Sequence, residues 1–176
     1  IPHGVQTDVR EFNHPKRIFG YKDSEPLVVL PGYVRPQKGY DVLLTIASKL
    51  PEISFLIAGG VQDESHNKYA DKMQHAAPKN VKMSGILSEK QFHGAFAAAD
   101  LVVLPYDSVT QSGILNWCVA YQIPVIASDR RYFNQFKDHC DGIKIFKSSS
   151  EATTLIRSII ENKSKKRKME QAMSVY

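Results

Sequence analysis

Two loops carry residue types that could hold an anion. The first, Pro31-Gly32-Tyr33-Val34-Arg35-Pro36-Gln37-Lys38-Gly39, sets two fixed cations and a glycine just ahead of an apolar-periodic run that opens at Tyr40-Asp41. Lysine and arginine supply charge-assisted bonds to phosphate, and a helix start adds N–H groups and a favourable dipole. By itself this loop reads as a solvated basic turn more readily than as a phosphate site. The second, Pro105-Tyr106-Asp107-Ser108-Val109-Thr110-Gln111-Ser112-Gly113, runs straight into another apolar segment, Ile114–Tyr121. Ser112 is a good N-cap there, and Gly113 lets a ligand approach the backbone. The pair predicts phosphates gripped from two separate loops. A dinucleotide fingerprint would need G-x-G-x-x-G after the first strand, and the sequence has none.

These loops need elements to bring them together. Short β-branched runs at Leu27–Leu30, Ile53–Ala58, Val81–Met83, Leu101–Leu104, Pro124–Ala127 and Ile143–Phe146 alternate with helical spacings. The helical segments are Tyr40–Leu50, His66–Ala77, Glu89–Ala99, Ile114–Tyr121, Tyr132–His139 and Glu151–Asn162 onward. Ser88 with Gln91 and Ser148 with Glu151 have capping-box spacing. Leu27-Val28-Val29-Leu30 and Leu101-Val102-Val103-Leu104 are apolar at every position, the pattern of parallel strands covered on both faces. The expectation is an α/β, doubly wound, Rossmann-like six-stranded parallel sheet with helices on both faces. Its ligands bind beyond the carboxyl ends of the strands.

The 176 residues contain 43% apolar and 23% charged side chains, a globular composition with no membrane-length apolar run. They read as one domain cut from a longer protein. More than half of the net charge of +5 falls in the last turns, where Lys163, Lys165, Lys166, Arg167 and Lys168 outnumber Glu161 and Glu170. This concentration argues against a nucleic-acid reader, which would show a basic face along its core elements. The basic tail, residues 163–176, reads as a solvated helix face or as a peripheral contact with anionic lipid. Cys118 and Cys140 lack metal or redox spacing and read as reduced, partly buried thiols of a cytoplasmic protein. His14, His66, His75, His93 and His139 show no ligand spacing and are expected at the surface.

Gly32 to Leu44 (G-Y-V-R-P-Q-K-G-Y-D-V-L-L), Thr110 to Leu115 (T-Q-S-G-I-L) and Ala120 to Ser128 (A-Y-Q-I-P-V-I-A-S) together resemble a known family. It is the C-terminal, donor-binding domain of the GT-B-fold, family 4-like (group 1) retaining glycosyltransferases. Ile1-Pro2-His3-Gly4-Val5 resembles that family's interdomain seam, which makes residues 1–26 a leading segment and leaves an N-terminal acceptor domain of the same chain as a partner. The resemblance implies a nucleotide-sugar donor carrying UDP, GDP or another nucleoside diphosphate, metal-independent hexosyl transfer and no cofactor. It places Arg35 and Lys38, with the backbone of Gln111, Ser112 and Gly113, on the donor diphosphate. The backbone near Gly85 and Ile86 would meet the base.

One position departs from the family pattern. A ribose-binding glutamate is expected seven residues before Pro124, and Trp117 stands there. A carboxylate accepts bonds from both ribose hydroxyls, whereas an indole offers one donor and no acceptor. Trp117 reads either as a base- or sugar-stacking residue or as a core residue of its helix. Two functions stay open: a transferase with altered donor recognition, polysaccharide biosynthesis being the expected setting, and a glycosyltransferase-like binding module without activity.

Overall fold

The computed structural model describes residues 8–175, so the seam expected at Ile1–Val5 lies outside the described residues. Six parallel strands, β1 (Leu27–Pro31), β2 (Ser54–Ala58), β3 (Val81–Met83), β4 (Leu101–Leu104), β5 (Val125–Ser128) and β6 (Ile143–Phe146), form one sheet. Their order is β3-β2-β1-β4-β5-β6. The chain moves outward from β1 to β3, then returns to start again at β4 beside β1. That reversal opens a crevice beyond the carboxyl ends of β1 and β4.

Helices α1 (Tyr40–Ser48), α2 (Asn67–Ala76) and α6 (Ser149–Glu161) cover one face of the sheet. Helices α3 (Glu89–Ala98), α4 (Gly113–Ala120) and α5 (Arg131–Lys137) cover the other. Alternate residues of β1 feed the two layers: Val28 and Leu30 face α1, while Leu27 and Val29 face α3 and α4. All four are fully buried, as are all four residues of β4, which is the physical origin of their uninterrupted apolar pattern. Caps fix the helix starts. Ser88 and Gln91 form a reciprocal capping box. Ser148 caps α6 through the Glu151 N–H, but the Glu151 carboxylate reaches back to the Lys147 N–H instead of the cap residue itself.

The C-terminal segment differs from expectation. The helix after β6 does not run on: it breaks at Asn162, and α7 (Lys163–Val175) begins there as a separate element. Met169 and Met173 are buried in the two core layers, so residues 163–175 are docked rather than a loose basic tail. Lys166 is drawn out of the basic run into a partly buried ion cluster. Its Nζ lies 2.5 Å from Asp100 Oδ1, while Lys16 Nζ lies 2.6 Å from Oδ2 and the Leu27 N–H donates to the same carboxylate at 3.0 Å. Burial opposes ionisation of Asp100, but the two ammonium groups outweigh it and hold the carboxyl below its usual range. Asp100 thereby ties the leading segment, β1 and α7 together at the amino ends of the strands.

Two other expectations need correction. His93 is buried, not a surface residue: its Nδ1 lies 2.8 Å from the Tyr121 hydroxyl, which also accepts the Arg10 N–H at 3.1 Å. Cys118 and Cys140, expected to be partly buried, are both buried, Cys118 on α4 and Cys140 in the loop before β6. Both follow from packing between elements distant in sequence, which local periodicity does not register.

Candidate functional site

The loop after β1 is held in place by backbone. The Gly32 N–H donates to Ala58 O and the Val34 N–H to Gly60 O, each at 2.9 Å, extending the β1–β2 pairing past the sheet. Arg35 is extended, Pro36–Lys38 form one 3-10 turn, and Gly39 closes it at φ +68°. Gly39 has two reasons to be glycine. Its left-handed backbone strains any other residue, and a Cβ there would collide with the carbonyl of Pro105 in the loop after β4. The Asp107 N–H donates to Gln37 O at 2.9 Å, so the two loops are clipped to each other.

The clipped loops enclose a cleft of about 620 Å³ lined by Arg35, Gln37, Lys38, Tyr106 and Ser108 to Gln111, with Asp63 and His66 on its β2 side. Three sequence-predicted residues, Arg35, Lys38 and Gln111, therefore share one cavity. Ser112 and Gly113 follow at once as the cap and first residue of α4. Ser112 is buried, and its Oγ accepts the Leu115 N–H at 3.3 Å. A Cβ on Gly113 would meet open space, so nothing blocks an approach to the α4 N-terminus.

Lys38 is the most perturbed cation of the site. Its Nζ reaches Pro31 O at 3.4 Å and lies 5.7 Å from the centre of the Tyr106 ring. Gly32 makes the room, since a Cβ there would collide with that Nζ. Burial, with the nearby charge of Arg35, lowers the Lys38 pKa from 10.5 to about 8. An anion would offset both causes. Arg35 is exposed, bonds to Gln62 Oε1 at 3.3 Å, and forms no ion pair among the described residues. Its side chain already lines the cleft.

Gly85, Ile86 and Trp117 do not line this cavity. Gly85 (φ +72°) and the 72%-exposed Ile86 follow β3 and abut Gly60, where a Cβ would strike the Ile86 nitrogen. A second, more apolar hollow of about 390 Å³ lies there, lined by Gly32, Tyr33, Gly59, Gly60, Leu87 and Phe92, among others. Trp117 is half-buried between α3 and α4, 4.9 Å from His93 and 6.2 Å from Phe92 and Phe96, centre to centre. Phe92 therefore separates it from the second hollow. Sequence reasoning passed over Tyr106, the Gln37–Asp107 clip and the collision at Gly39. A tyrosine directly after a strand-ending Leu-Pro was the one available signal.

A sheet of order 3-2-1-4-5-6, with cations from the loop after β1 facing a helix start after β4, is one half of a GT-B-type fold. Anabaena Alr3699/HepE, solved in complex with UDP and glucose, superposes with a TM-score of 0.79 at 16% identity, covering 91% of this chain and 45% of that one. That likeness is one of fold. The family described as glycosyl transferases group 1 matches residues 12–174, and the chain belongs to it. Among curated relatives, the alpha-galactosylglucosyldiacylglycerol synthase of Streptococcus pneumoniae is 31% identical over 115 residues, 62% of this chain and 30% of the relative. The processive diacylglycerol alpha-glucosyltransferase of Acholeplasma laidlawii is 21% identical over 165 residues, 91% of this chain and 50% of the relative. The chain thus spans at most half the length of these two curated relatives. No helix among the described residues is long and apolar enough to cross a membrane.

Proposed function

We propose that this chain is the donor-binding part of a group 1 glycosyltransferase, taking a nucleoside diphosphate sugar for retaining hexosyl transfer to a glycan or lipid-linked acceptor. One observation carries the reading: the strand-order reversal brings Lys38, Arg35 and the loop that leads through Gln111 into the α4 cap to a single cleft. The diphosphate would lie between Lys38 and the N–H groups of Gln111, Ser112 and Gly113, and the base near Gly85 and Ile86. These donors can take up the leaving-group charge themselves, which supports a metal-independent mechanism. The acceptor would be bound by a second domain of the same chain, in the cytoplasm or at its membrane face. The diacylglycerol-linked activities of the two relatives support a lipid-linked acceptor.

Calorimetric titration with UDP and GDP tests the reading. The wild type is expected to bind one of them, and Lys38→Ala to weaken binding. No binding of either at about 1 mM, a weak ~4 kcal/mol interaction, would refute it. Trp117 favours a second reading, a binding module without transferase activity, because an indole cannot accept from the ribose hydroxyls. If Trp117→Glu remains folded and gains affinity, Trp117 occupies the ribose position and donor recognition is altered.

A further inference from the structure

Among the described residues, Tyr106 carries the one buried side-chain polar atom without a hydrogen-bond partner, its hydroxyl oxygen. The residue is 6% exposed and lines the cleft beside Lys38. Its position is fixed from three sides. Ser128 Oγ donates to the Tyr106 carbonyl at 2.6 Å, the Phe133 ring packs at 5.7 Å, and Lys38 Nζ stands over the ring face. A phenylalanine would fill the same space, so packing alone gives the oxygen no role, and an unpaired buried hydroxyl opposes folding.

The Ser112 hydroxyl is near enough to act on the Tyr106 hydroxyl without forming a hydrogen bond with it, and the Cys118 thiol and the Tyr40 phenol are also near. Burial pushes Tyr106 above the ordinary tyrosine range, with Cys118 adding to the effect, so it stays a proton donor. A serine hydroxyl has one proton and two lone pairs. One lone pair of Ser112 takes the Leu115 N–H. If the other takes the Tyr106 O–H, the serine proton is left to point out of the helix start.

We propose that Tyr106 is a positioning residue of the anion site: on phosphate binding its hydroxyl donates to Ser112 Oγ, which turns the Ser112 proton onto a phosphate oxygen at the start of α4. No bond is made or broken, and only the two hydroxyl protons reorient. The inference rests on the diphosphate reading above and adds a group buried beneath the contact surface.

The test compares wild type, Tyr106→Phe, Ser112→Ala and the double variant, each titrated with UDP, GDP and inorganic pyrophosphate. Ser112→Asn, which can still cap α4, is a second background in case alanine unfolds the helix start. Tyr106→Phe is expected to weaken the bound nucleotide and pyrophosphate about 3- to 10-fold, the effect of one modest hydrogen bond. The melting temperature without ligand should hold or rise, a combination that a structural tyrosine would not give. In the Ser112→Ala background the same change should cost nothing further. Affinity unchanged in Tyr106→Phe, or losses that simply multiply in the double variant, would overturn the inference and leave the donor reading standing. Wild-type binding of pyrophosphate without either nucleotide would remove the nucleotide reading and leave the relay testable on pyrophosphate. Binding of none of the three would overturn both.

Discussion

Raising the pH should loosen the diphosphate site before it affects the fold, and Lys38 sets where. Burial and Arg35 bring this ammonium to a pKa of about 8 in the ligand-free protein. At about pH 7 roughly nine-tenths of the molecules carry the charge, and at about pH 9 roughly one-tenth do. A bound diphosphate next to Nζ raises that pKa, so binding requires the proton. UDP or GDP affinity should then fall about tenfold between these two pH values, a cost of about 1.4 kcal/mol. The last phosphate ionisation of the nucleotide, near pH ~6, is largely complete across this window, and the Lys38→Ala profile corrects for the uracil or guanine ring, which begins to ionise at its upper end. The assay is calorimetry at several pH values in buffers of differing ionisation enthalpy, which also counts protons taken up on binding. Lys38→Ala should bind about 10- to 100-fold more weakly at neutral pH, the worth of a charged hydrogen bond, and show a much flatter profile. The stability effect has the opposite sign. The unfolded Lys38 keeps its proton up to the ordinary lysine value of 10.5, whereas the folded one releases it near 8, so stability rises with pH between those values. A tenfold loss that persists in Lys38→Ala, or no proton uptake by the wild type, would refute the assignment.

Asp100→Asn should destabilise the protein by about 3 kcal/mol, because it leaves the partly buried Lys16 without an ionic partner and Lys166 with Glu170 alone; chemical denaturation measures this. Since the folded carboxyl is held below the ordinary aspartate value of 3.8, the wild-type contribution is full above that pH and is lost as pH falls through the lower folded value. Gly39→Ala should cost about 1–3 kcal/mol from its left-handed backbone alone. It should also weaken UDP or GDP binding, because the collision with Pro105 pushes the two loops apart; thermal melts and titrations separate the two effects. Asn80 donates to the carbonyls of Ala47, Leu50 and Ile53 and closes the end of α1, so Asn80→Ala should cost about 2–3 kcal/mol with donor binding unchanged. Anionic vesicles should retain the chain in sedimentation through the exposed Lys163, Arg167 and Lys168, at about 1 kcal/mol per charge; retention unchanged after their neutralisation rules out α7 as the contact.

The order of elements was readable because burial on both faces writes itself into a parallel strand: Leu27–Leu30 and Leu101–Leu104 have no solvent side and hence no polar position. Helix starts were readable where a cap is local, as at Ser88, Ser112 and Ser148. The cations of the site were legible for the same reason, since Arg35 and Lys38 sit within one loop. The end of α6 was not legible. Helical spacing continues across Asn162, whose Oδ1 accepts the Lys165 N–H and caps α7; that local cap was passed over, and the new helix direction is held by Lys166 reaching Asp100 and by Met169 and Met173 entering both core layers.

Local pattern thus determined the strands, the helices and the two anion-ready loops, because each depends on residues within about ten positions of one another, and the order of those segments along the chain carried the fold class and the family resemblance. Only the tertiary structure decided that the loops share one cleft, that Gly39 must stay bare against Pro105, that His93 is interior, and that the Tyr106 hydroxyl is buried without a partner. Those facts depend on which strand lies beside which. The β1–β4 adjacency brings together residues some seventy positions apart, as the pairing of Val28 with Leu101 records.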